Sequence, residues 1–483
     1  MTELCDRSAV ELRRLISERE ISPLELLASC KHRIDQVNGA VNAIVADCFE
    51  RAETEAKAAE KAVADGEPIG ALHGLPIGIK DLALTEGLVT TFGSPQFTTF
   101  MPENDERQVQ AVRDEGAIVV GKTNTPEFGA GANTVNPVYG ATGNPFDPTK
   151  TCAGSSGGSA VALSTGMIPL ATGSDMGGSL RNPAAYCGIV GMRPTPGAIA
   201  DETSLLGYSP LGVQGPMARS VEDLALLYQA MAADDPRDPL AYPLDTSEFW
   251  PLPDIDLSGI RAAISEDLGF APVDNGIRET FRHAAGKIEA CFASAEHCDP
   301  PLDGADEAFE VNRAINFVAA HKQTYYENPD VLGPNIVANV EQGLLMGIAD
   351  IANGMAAHTR IYRQFVAFME DFDVLICPAM SVPPFPHGQL YPTEINGETL
   401  RTYFHWLALA YGLTLTSHPV VCLPCGLDYT DMPFGIQICG KRGGDAEVLA
   451  IARALEQTMS QIDGLGRPVP DLKALKGEVE VKG

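Results

Sequence analysis

The sequence predicts an α/β protein whose mainly parallel or mixed β-sheet is covered by helices on both faces. Short apolar runs of strand length alternate along the chain with segments whose apolar residues recur at helical spacing. Such alternation places helices on the faces of a sheet and functional residues on loops at strand ends. No long polar or Pro/Gly/Ser-rich linker divides the 483 residues, and no repeat of fixed period is present. We therefore expect one large domain.

The first 70 residues predict a helical layer of this same domain, and residues 71–483 hold its α/β part. Apolar positions recur at helical spacing from Ala9 to Ala64. Ser22 followed by Pro23 marks a helix start, because serine caps a helix and proline fits its first turn. The segment around 234–307, rich in Asp and Pro, predicts a variable excursion.

Strands and helices are predicted in alternation after residue 71. Residues 402–427 contain no Asp, Glu, Lys or Arg. Their histidines and prolines favour a buried helix running into a buried strand over a membrane span. The remaining apolar runs predict strands at 75–79, 117–120, 189–192 and 374–377, helices at 108–115, 159–165 and 446–459, and a loop-rich segment at 133–152.

Composition excludes several classes of partner. Hydrophobic residues make up 45% of the chain and charged residues 20%, as in a soluble enzyme. A formal net charge of −30 repels nucleic acid and anionic membranes. The eleven cysteines have no disulfide-framework spacing, and the N-terminal sequence MTELCDRSAVELRRL has charges where a signal peptide needs an apolar core. These features predict a cytoplasmic location.

Two glycine- and serine-rich segments, 153–159 and 173–181, follow a lysine at position 80. Small residues let backbone N–H groups approach a reacting atom, and two serines with a lysine can supply a nucleophile, a proton relay and a base. This combination indicates acyl transfer.

Each of these residues also has a purely structural interpretation. Lys80 at the end of an apolar strand would be partly desolvated, which lowers its pKa and favours a role as a base. In the structural interpretation, Lys80 forms an ion pair with Asp81. The backbone N–H groups at 176–179 could converge as an oxyanion hole, or form a tight turn. Ser155 and Ser156 could simply cap a helix.

Taken together and in this order, these segments resemble the amidase signature family. The resemblance continues through residues 215–227 and 432–440, and so covers nearly the whole chain. Ala153 stands where glycine is common in the family, and Met176 where threonine or isoleucine is usual. The matching segments are GLPIGIKDLALTEGLVTTFGS at 74–94, GKTNTPEF at 121–128, GNPFDPTKTCAGSSGGSAVAL at 143–163 and GSDMGGSLRNPAAYCGIVGMRPT at 173–195.

The resemblance implies a single large α/β domain with a central twisted mixed sheet, and an amide hydrolase with a Ser-cisSer-Lys triad. Ser179 would be the acylated nucleophile, Ser155 the bridging serine after a cis peptide bond, and Lys80 the base. The oxyanion hole would use the backbone N–H groups of Met176, Gly177, Gly178 and Ser179.

The resemblance implies no cofactor and no metal, and homodimers are common among such enzymes. Asp175 and Arg181 are expected to fix the shape of the nucleophile loop through charged hydrogen bonds, and Ser156 to support Ser155.

Three other motifs compete with this interpretation. GAIVVGKT at 116–123 matches the phosphate-loop pattern, yet its interior is an apolar strand and Pro126 follows. GSSGG at 154–158 fits a nucleophile elbow at Ser156, with His387, His405 or His418 as base, but a loop precedes it. Cys422 and Cys425 have the spacing of half a zinc site, with apolar flanks that favour core cysteines.

The predicted substrate is a small amide with an apolar or aromatic group. Variable loops are expected to build its pocket from Phe128, Asn316, Tyr325, Phe404 and Trp406. Two alternatives remain open: the glutamine-hydrolysing subunit of a tRNA-dependent amidotransferase, which shares the signature, and a non-catalytic scaffold on the same fold.

Overall fold

The computed structural model describes residues 3–475. Its strands are β1 Ile44–Asp47, β2 Pro76–Lys80, β3 Ile118–Thr123, β4 Val135–Asn136, β5 Gly140–Ala141, β6 Leu170–Asp175, β7 Val190–Arg193, β8 Val213–Ala218, β9 Arg261–Ile264, β10 Ser294–His297, β11 Val374–Pro378, β12 Glu394–Ile395, β13 Glu398–Thr399, β14 Val420–Leu427 and β15 Pro433–Cys439.

The α-helices of the same range surround these strands. They are α1 Ala9–Ser17, α2 Pro23–Val41, α3 Phe49–Asp65, α4 Arg107–Asp114, α5 Gly157–Ser164, α6 Arg181–Cys187, α7 Val221–Met231, α8 Asn275–Ile288, α9 Ala305–Glu327, α10 Pro334–Leu345, α11 Ile348–Phe368, α12 Ala408–Thr414 and α13 Asp445–Ser460.

An eleven-stranded mixed sheet forms the centre of the described chain. Its strand order is β1-β3-β2-β6-β8-β7-β14-β15-β11-β9-β10. Parallel pairs join β3, β2 and β6 on one side and β11, β9 and β10 on the other, with antiparallel pairs between them. The helices flank this sheet, so the predicted single α/β domain with a central mixed sheet is confirmed.

The N-terminal layer contains α1, α2 and α3. The helix start predicted at Ser22 is confirmed: Ser22 Oγ accepts from Glu25 N at 3.1 Å, and the Glu25 carboxylate accepts from Ser22 N at 2.8 Å. One strand, β1, interrupts the helices and pairs antiparallel with β3 at the edge of the sheet. Apolar spacing did not predict this strand, which is only four residues long.

The segment 234–307, predicted as a variable excursion, contributes to the central sheet. Its strands β9 and β10 extend one side of the sheet, and the inward face of α8 buries Ile277 and Phe281. The strands β9 and β10 of this Asp- and Pro-rich segment are short, and β10 is the edge strand of the sheet.

The charge-free stretch 402–427 folds as α12 followed by β14, as predicted. Both elements are buried, and Cys422 and Cys425 lie in β14 as free core cysteines. Within residues 3–475, no helix combines the length and apolar character needed to cross a bilayer.

The sheet brings three functional segments to one edge. Strand β2 ends at Lys80, and the parallel neighbour β6 ends at Asp175. Parallel strands end at the same edge of a sheet, so the loop that leads from β6 into α6 lies beside Lys80. Helix α5 begins at Gly157, so residues 153–156 also lie there.

Candidate active site

Lys80 is buried at the end of β2 and faces hydroxyl groups. Its Nζ donates to Ser155 Oγ at 2.7 Å and to Ser174 Oγ at 2.9 Å. Burial lowers the pKa of Lys80 to about 7, against the opposing charge of Asp175. Burial therefore favours the uncharged amine, which is the form that can accept a proton.

Asp81, the alternative partner of Lys80, is engaged elsewhere. Its carboxylate accepts hydrogen bonds from the backbone N–H and the hydroxyl of Thr91. The cation within ion-pair distance of Asp81 is Lys122, at 4.0 Å. Among the residues described, Lys80 has no carboxylate within 4.0 Å.

Hydrogen bonds to backbone atoms connect the first glycine- and serine-rich segment to the second. The Gly154–Ser155 peptide bond is cis. Ser156 N donates to Ser179 O at 3.2 Å, and Ser156 Oγ lies 3.4 Å from both the backbone N and O of Ser174. Ser156, which was expected to support Ser155, therefore also connects the two segments.

Asp175 organises the loop that carries Ser179. Its carboxylate accepts from Gly178 N at 2.8 Å and from Leu180 N at 3.1 Å. Arg181 binds both of its oxygens at 2.9 and 3.0 Å, and Arg193 lies 3.3 Å from one of them. Burial opposes ionisation, but the two guanidinium groups hold the pKa of Asp175 far below its ordinary value.

Arg193 belongs to this cluster although sequence reasoning did not single it out. It lies within the matched segment 173–195, so its position in that segment was the available signal. Its Nη1 also donates to the backbone oxygens of Asp175 and Leu211 at 2.7 and 2.8 Å. It joins the loop before the nucleophile to the loop before β8.

The expected oxyanion donors are not equivalent. Gly178 N–H already donates to Asp175, while those of Met176, Gly177 and Ser179 have no acceptor in the part of the chain that the structure describes. Gly178 has φ +112°, and a Cβ there would collide with Asn182. Glycine is required at 178 for the loop conformation, and three N–H groups remain for a substrate oxygen.

A cavity of about 180 Å³ opens over these groups. Three serines line it, Ser155, Ser174 and Ser179, together with four phenylalanines. The residues that line it are Leu82, Phe128, Gly129, Gly131, Ser155, Ser174, Asp175, Met176, Gly177, Ser179, Asp201, Gly212, Val213, Gln214, Phe309, Arg313, Phe317, Phe404 and Leu407.

Two of the five predicted pocket residues, Phe128 and Phe404, line this cavity, and three do not. Asn316 Nδ2 donates to the carbonyl one turn earlier in α9. Tyr325, near the C-terminal end of α9, donates its hydroxyl to Glu341 of α10. Trp406 is buried in the core, and its Nε1 donates to Tyr403 O.

The wall that sequence reasoning missed comes from α9. Phe309, Arg313 and Phe317 are spaced four residues apart, so they lie on one helix face, and that face points into the cavity. The spacing was visible in the sequence, but the direction of the face depends on tertiary packing. Asp201 and, from β8, Gln214 also line the cavity and were also missed.

The competing motifs have structural roles. His418 Nδ1 lies 2.6 Å from Thr416 O, and His405 lies beside Asp306. Neither these residues nor His387 line the cavity or contact Ser156, so the elbow interpretation lacks a base. Residues 118–123 of the phosphate-loop pattern form the fully buried strand β3. Residues 3–475 contain no cluster of three His, Cys, Asp or Glu side chains suited to a metal.

The Amidase family model matches residues 25–449 of this chain. The chain belongs to the amidase signature family. It is a hydrolase of carbon–nitrogen amide bonds. The chain is 32% identical to a subunit of the glutamyl-tRNA(Gln) amidotransferase of Geobacillus kaustophilus, with 94% of this chain and 97% of that protein covered.

Two further similar proteins are named as acylamidases. An acylamidase of Rhodococcus erythropolis is 32% identical, over 93% of this chain and 94% of that protein. The crystal structure of a bacterial aryl acylamidase of the amidase signature family superposes with a TM-score of 0.86 at 27% identity, covering 93% of this chain and 96% of that one.

Proposed function

We propose that this chain is a Ser-cisSer-Lys amidase that hydrolyses a small carboxylic amide with an apolar or aromatic group. The observation that carries the proposal is the 2.7 Å hydrogen bond from Lys80 Nζ to Ser155 Oγ, in a cavity that Ser179 also lines. A buried amine with a lowered pKa, a bridging hydroxyl and a second serine meet the needs of nucleophilic catalysis.

The proposed first half-reaction forms an acyl-enzyme. Neutral Lys80 accepts a proton from Ser155, which in turn takes the proton of Ser179 as its Oγ attacks the amide carbonyl. The backbone N–H groups of Met176, Gly177 and Ser179 stabilise the negative charge that develops on the carbonyl oxygen.

The same relay completes the reaction. The proton held by Lys80 passes through Ser155 to the departing nitrogen, and amine or ammonia leaves. Water then loses a proton to the relay as it attacks the acyl carbonyl, which releases the carboxylic acid and restores the hydroxyl of Ser179.

The walls of the cavity support an aromatic or apolar substrate group. Phe128, Phe309, Phe317 and Phe404 line the same cavity as the serines, and rings of this kind favour flat or apolar ligands. A volume of about 180 Å³ fits a small group. The names of the two acylamidase relatives agree with this choice.

The second candidate is the glutamine-hydrolysing component of an amidotransferase. The specific observation in its favour is the 32% identity to such proteins over 94% of this chain. The two functions differ in a simple assay. A free amidase hydrolyses its amide as a purified chain, whereas an amidotransferase component co-purifies with a partner and prefers glutamine.

The test is labelling with a fluorophosphonate, followed by intact-mass and peptide mapping. We expect one adduct, at Ser179, that forms much more slowly in Lys80→Ala. Ser156→Ala is the matched control for the alternative nucleophile and should still be labelled. An adduct at Ser156, or none in the folded protein, would overturn the proposed triad. A panel of anilides, aliphatic amides and glutamine then ranks substrates by kcat/KM.

A further inference from the structure

Arg313 is a buried arginine in the wall of the active-site cavity. It is 6% exposed and lines the cavity together with Ser179. Its Nε donates to Asn339 Oδ1 at 3.1 Å, and its Nη2 donates to Tyr403 OH at 2.6 Å. Its Nη1 lies 3.7 Å from Met176 Sδ, close to the proposed oxyanion donors.

The surroundings of this guanidinium are neutral. It lies 4.7, 5.6 and 5.1 Å from the ring centres of Phe317, Tyr403 and Phe404. Aromatic faces stabilise a cation only in part. A guanidinium has five N–H groups, and three contacts to side-chain atoms leave two without an acceptor in the described part of the chain.

The other buried arginines of the described chain form ion pairs with carboxylates. The described residues contain five buried arginines, and Arg33, Arg181, Arg193 and Arg453 each have a carboxylate oxygen within 3.3 Å. For Arg313 no described carboxylate lies within 4.0 Å. Burying a charge is costly unless it is paired, so an unpaired buried cation in an active-site wall calls for an anionic partner from outside the chain.

The carboxylates of the cavity itself do not supply that partner. Asp175 is held by Arg181 and Arg193. Asp201 also lines the cavity but is beyond ion-pair distance of Arg313, and burial raises its pKa. The positive charge of Arg313 is therefore not neutralised within the site.

We propose that Arg313 is a specificity residue that binds a carboxylate group of the substrate. The inference rests on the proposed function and narrows it: the preferred substrate is a small aromatic or apolar amide that also carries a carboxylate. The free N–H groups of the guanidinium match a carboxylate, and the aromatic rings beside it pack against the rest of the molecule.

The test compares each carboxylated amide with its uncharged counterpart. One pair places the charge on the acyl side, succinic monoanilide against butyranilide. The other places it on the amine side, 4-acetamidobenzoate against acetanilide. We expect kcat/KM to favour the carboxylated member of one pair at least tenfold in the native enzyme. Arg313→Met should remove most of this preference through KM, and Arg313→Lys should keep part of it.

Two controls separate recognition from folding. Arg453→Met removes a buried arginine far from the cavity, so it should lower the melting temperature without changing the ratio within either pair. Arg313→Lys retains the charge if Arg313→Met does not fold. A ratio that is the same in the native enzyme and in the folded Arg313 variants would overturn the proposal and leave Arg313 as a packing residue.

A binding measurement distinguishes this failure from failure of the proposed function. In Ser179→Ala, titration calorimetry should detect tighter binding of the preferred carboxylated amide than of its uncharged counterpart, and Arg313→Met in that background should remove the difference. This result does not require turnover. Equal affinities for both members of both pairs would contradict anion recognition, whereas absent labelling at Ser179 would contradict only the catalytic assignment.

Discussion

Two buried lysines on neighbouring strands allow a direct comparison. Lys80 ends β2 and Lys122 lies near the end of β3, and both are almost inaccessible to solvent. Burial lowers both pKa values, to about 7 for Lys80 and to about 8 for Lys122. A lowered pKa alone therefore does not distinguish a candidate base from a structural lysine.

The difference lies in what each ammonium group contacts. Lys122 Nζ donates to Ala83 O and, at 2.9 Å, to Thr85 Oγ1, and Asp81 lies 4.0 Å away. These contacts enclose the amine within the protein. Lys80 instead reaches two serine hydroxyls beside the cavity, and one of them belongs to Ser155. Contact with hydroxyl groups that line the cavity, more than basicity, separates the two residues.

The largest expected effect is the loss of activity in Lys80→Met. Without an amine to accept the proton of Ser155, we expect kcat/KM to fall by roughly 10³-fold or more, within the range of lost general-base catalysis. The melting temperature should not fall, because the substitution removes a buried amine that has no described carboxylate partner. Activity within tenfold of the native enzyme would show that another group serves as base.

The matched variant Lys122→Met should have the opposite profile. It removes the cation nearest to the buried Asp81 carboxylate, together with the donor to Thr85 Oγ1 and one of the two donors to Ala83 O. We therefore expect a loss of about 2–4 kcal/mol in the free energy of unfolding. Denaturant unfolding measures this loss. Activity per folded molecule should remain within about threefold of native. A large fall in kcat at full folding would mean that Lys122 takes part in the chemistry.

The third expectation concerns pH. Lys80 acts as a base only when deprotonated, so kcat/KM for an uncharged amide should rise as pH increases through about 7 and then level off. Below that value the slope should approach tenfold per pH unit. The profile is measured between pH 5 and 9, in a range where circular dichroism confirms folding. A profile that is flat over this range would exclude Lys80 as the titrating base.

The same shift affects stability with a definite sign. The folded-state pKa of Lys80 lies below the ordinary value of 10.5, so between about 7 and 10.5 the unfolded chain binds more protons than the folded one. The contribution of this residue to stability therefore increases with pH over that window. Lys80→Met should lose this part of the pH dependence of unfolding.

Sequence reasoning predicted the parts of the site that lie in local segments. Lys80, Ser155 and Ser179 belong to long contiguous runs that resemble the amidase signature, and this resemblance predicted their roles. Parallel pairing of β2 with β6 then brings the ends of these strands together. The alternation of strand-length and helical segments predicted the sheet covered by helices, because each apolar run must be buried against another element.

What could not be predicted depends on packing between distant segments. One residue along a helix turns the side chain by about 100°, so Phe317 lines the cavity and Asn316 does not. The four-residue strand β1 is too short for its apolar pattern to be distinguished from the helices around it. The lack of a carboxylate beside Arg313 is likewise a property of the folded chain.

The smallest expected effect concerns Ser174, the second serine hydroxyl that Lys80 contacts. Ser174 Oγ accepts from Lys80 Nζ at 2.9 Å and so stabilises the charged amine. Ser174→Ala should lower the pKa of Lys80 further, which moves the rising limb of the pH profile to lower pH by about one unit. At pH 8 to 9 the rate should change by less than about tenfold.

Ser159→Ala is the matched control for this substitution. Ser159 is a buried serine whose hydroxyl lies 2.7 Å from Thr123 Oγ1 and donates to Thr172 O, so it contacts the amine of neither lysine. Its removal should leave the position of the limb unchanged. A limb that stays in place in Ser174→Ala as well would show that Ser155 alone sets the hydrogen-bonding environment of Lys80. The contrast with Lys122 would then depend on that single contact.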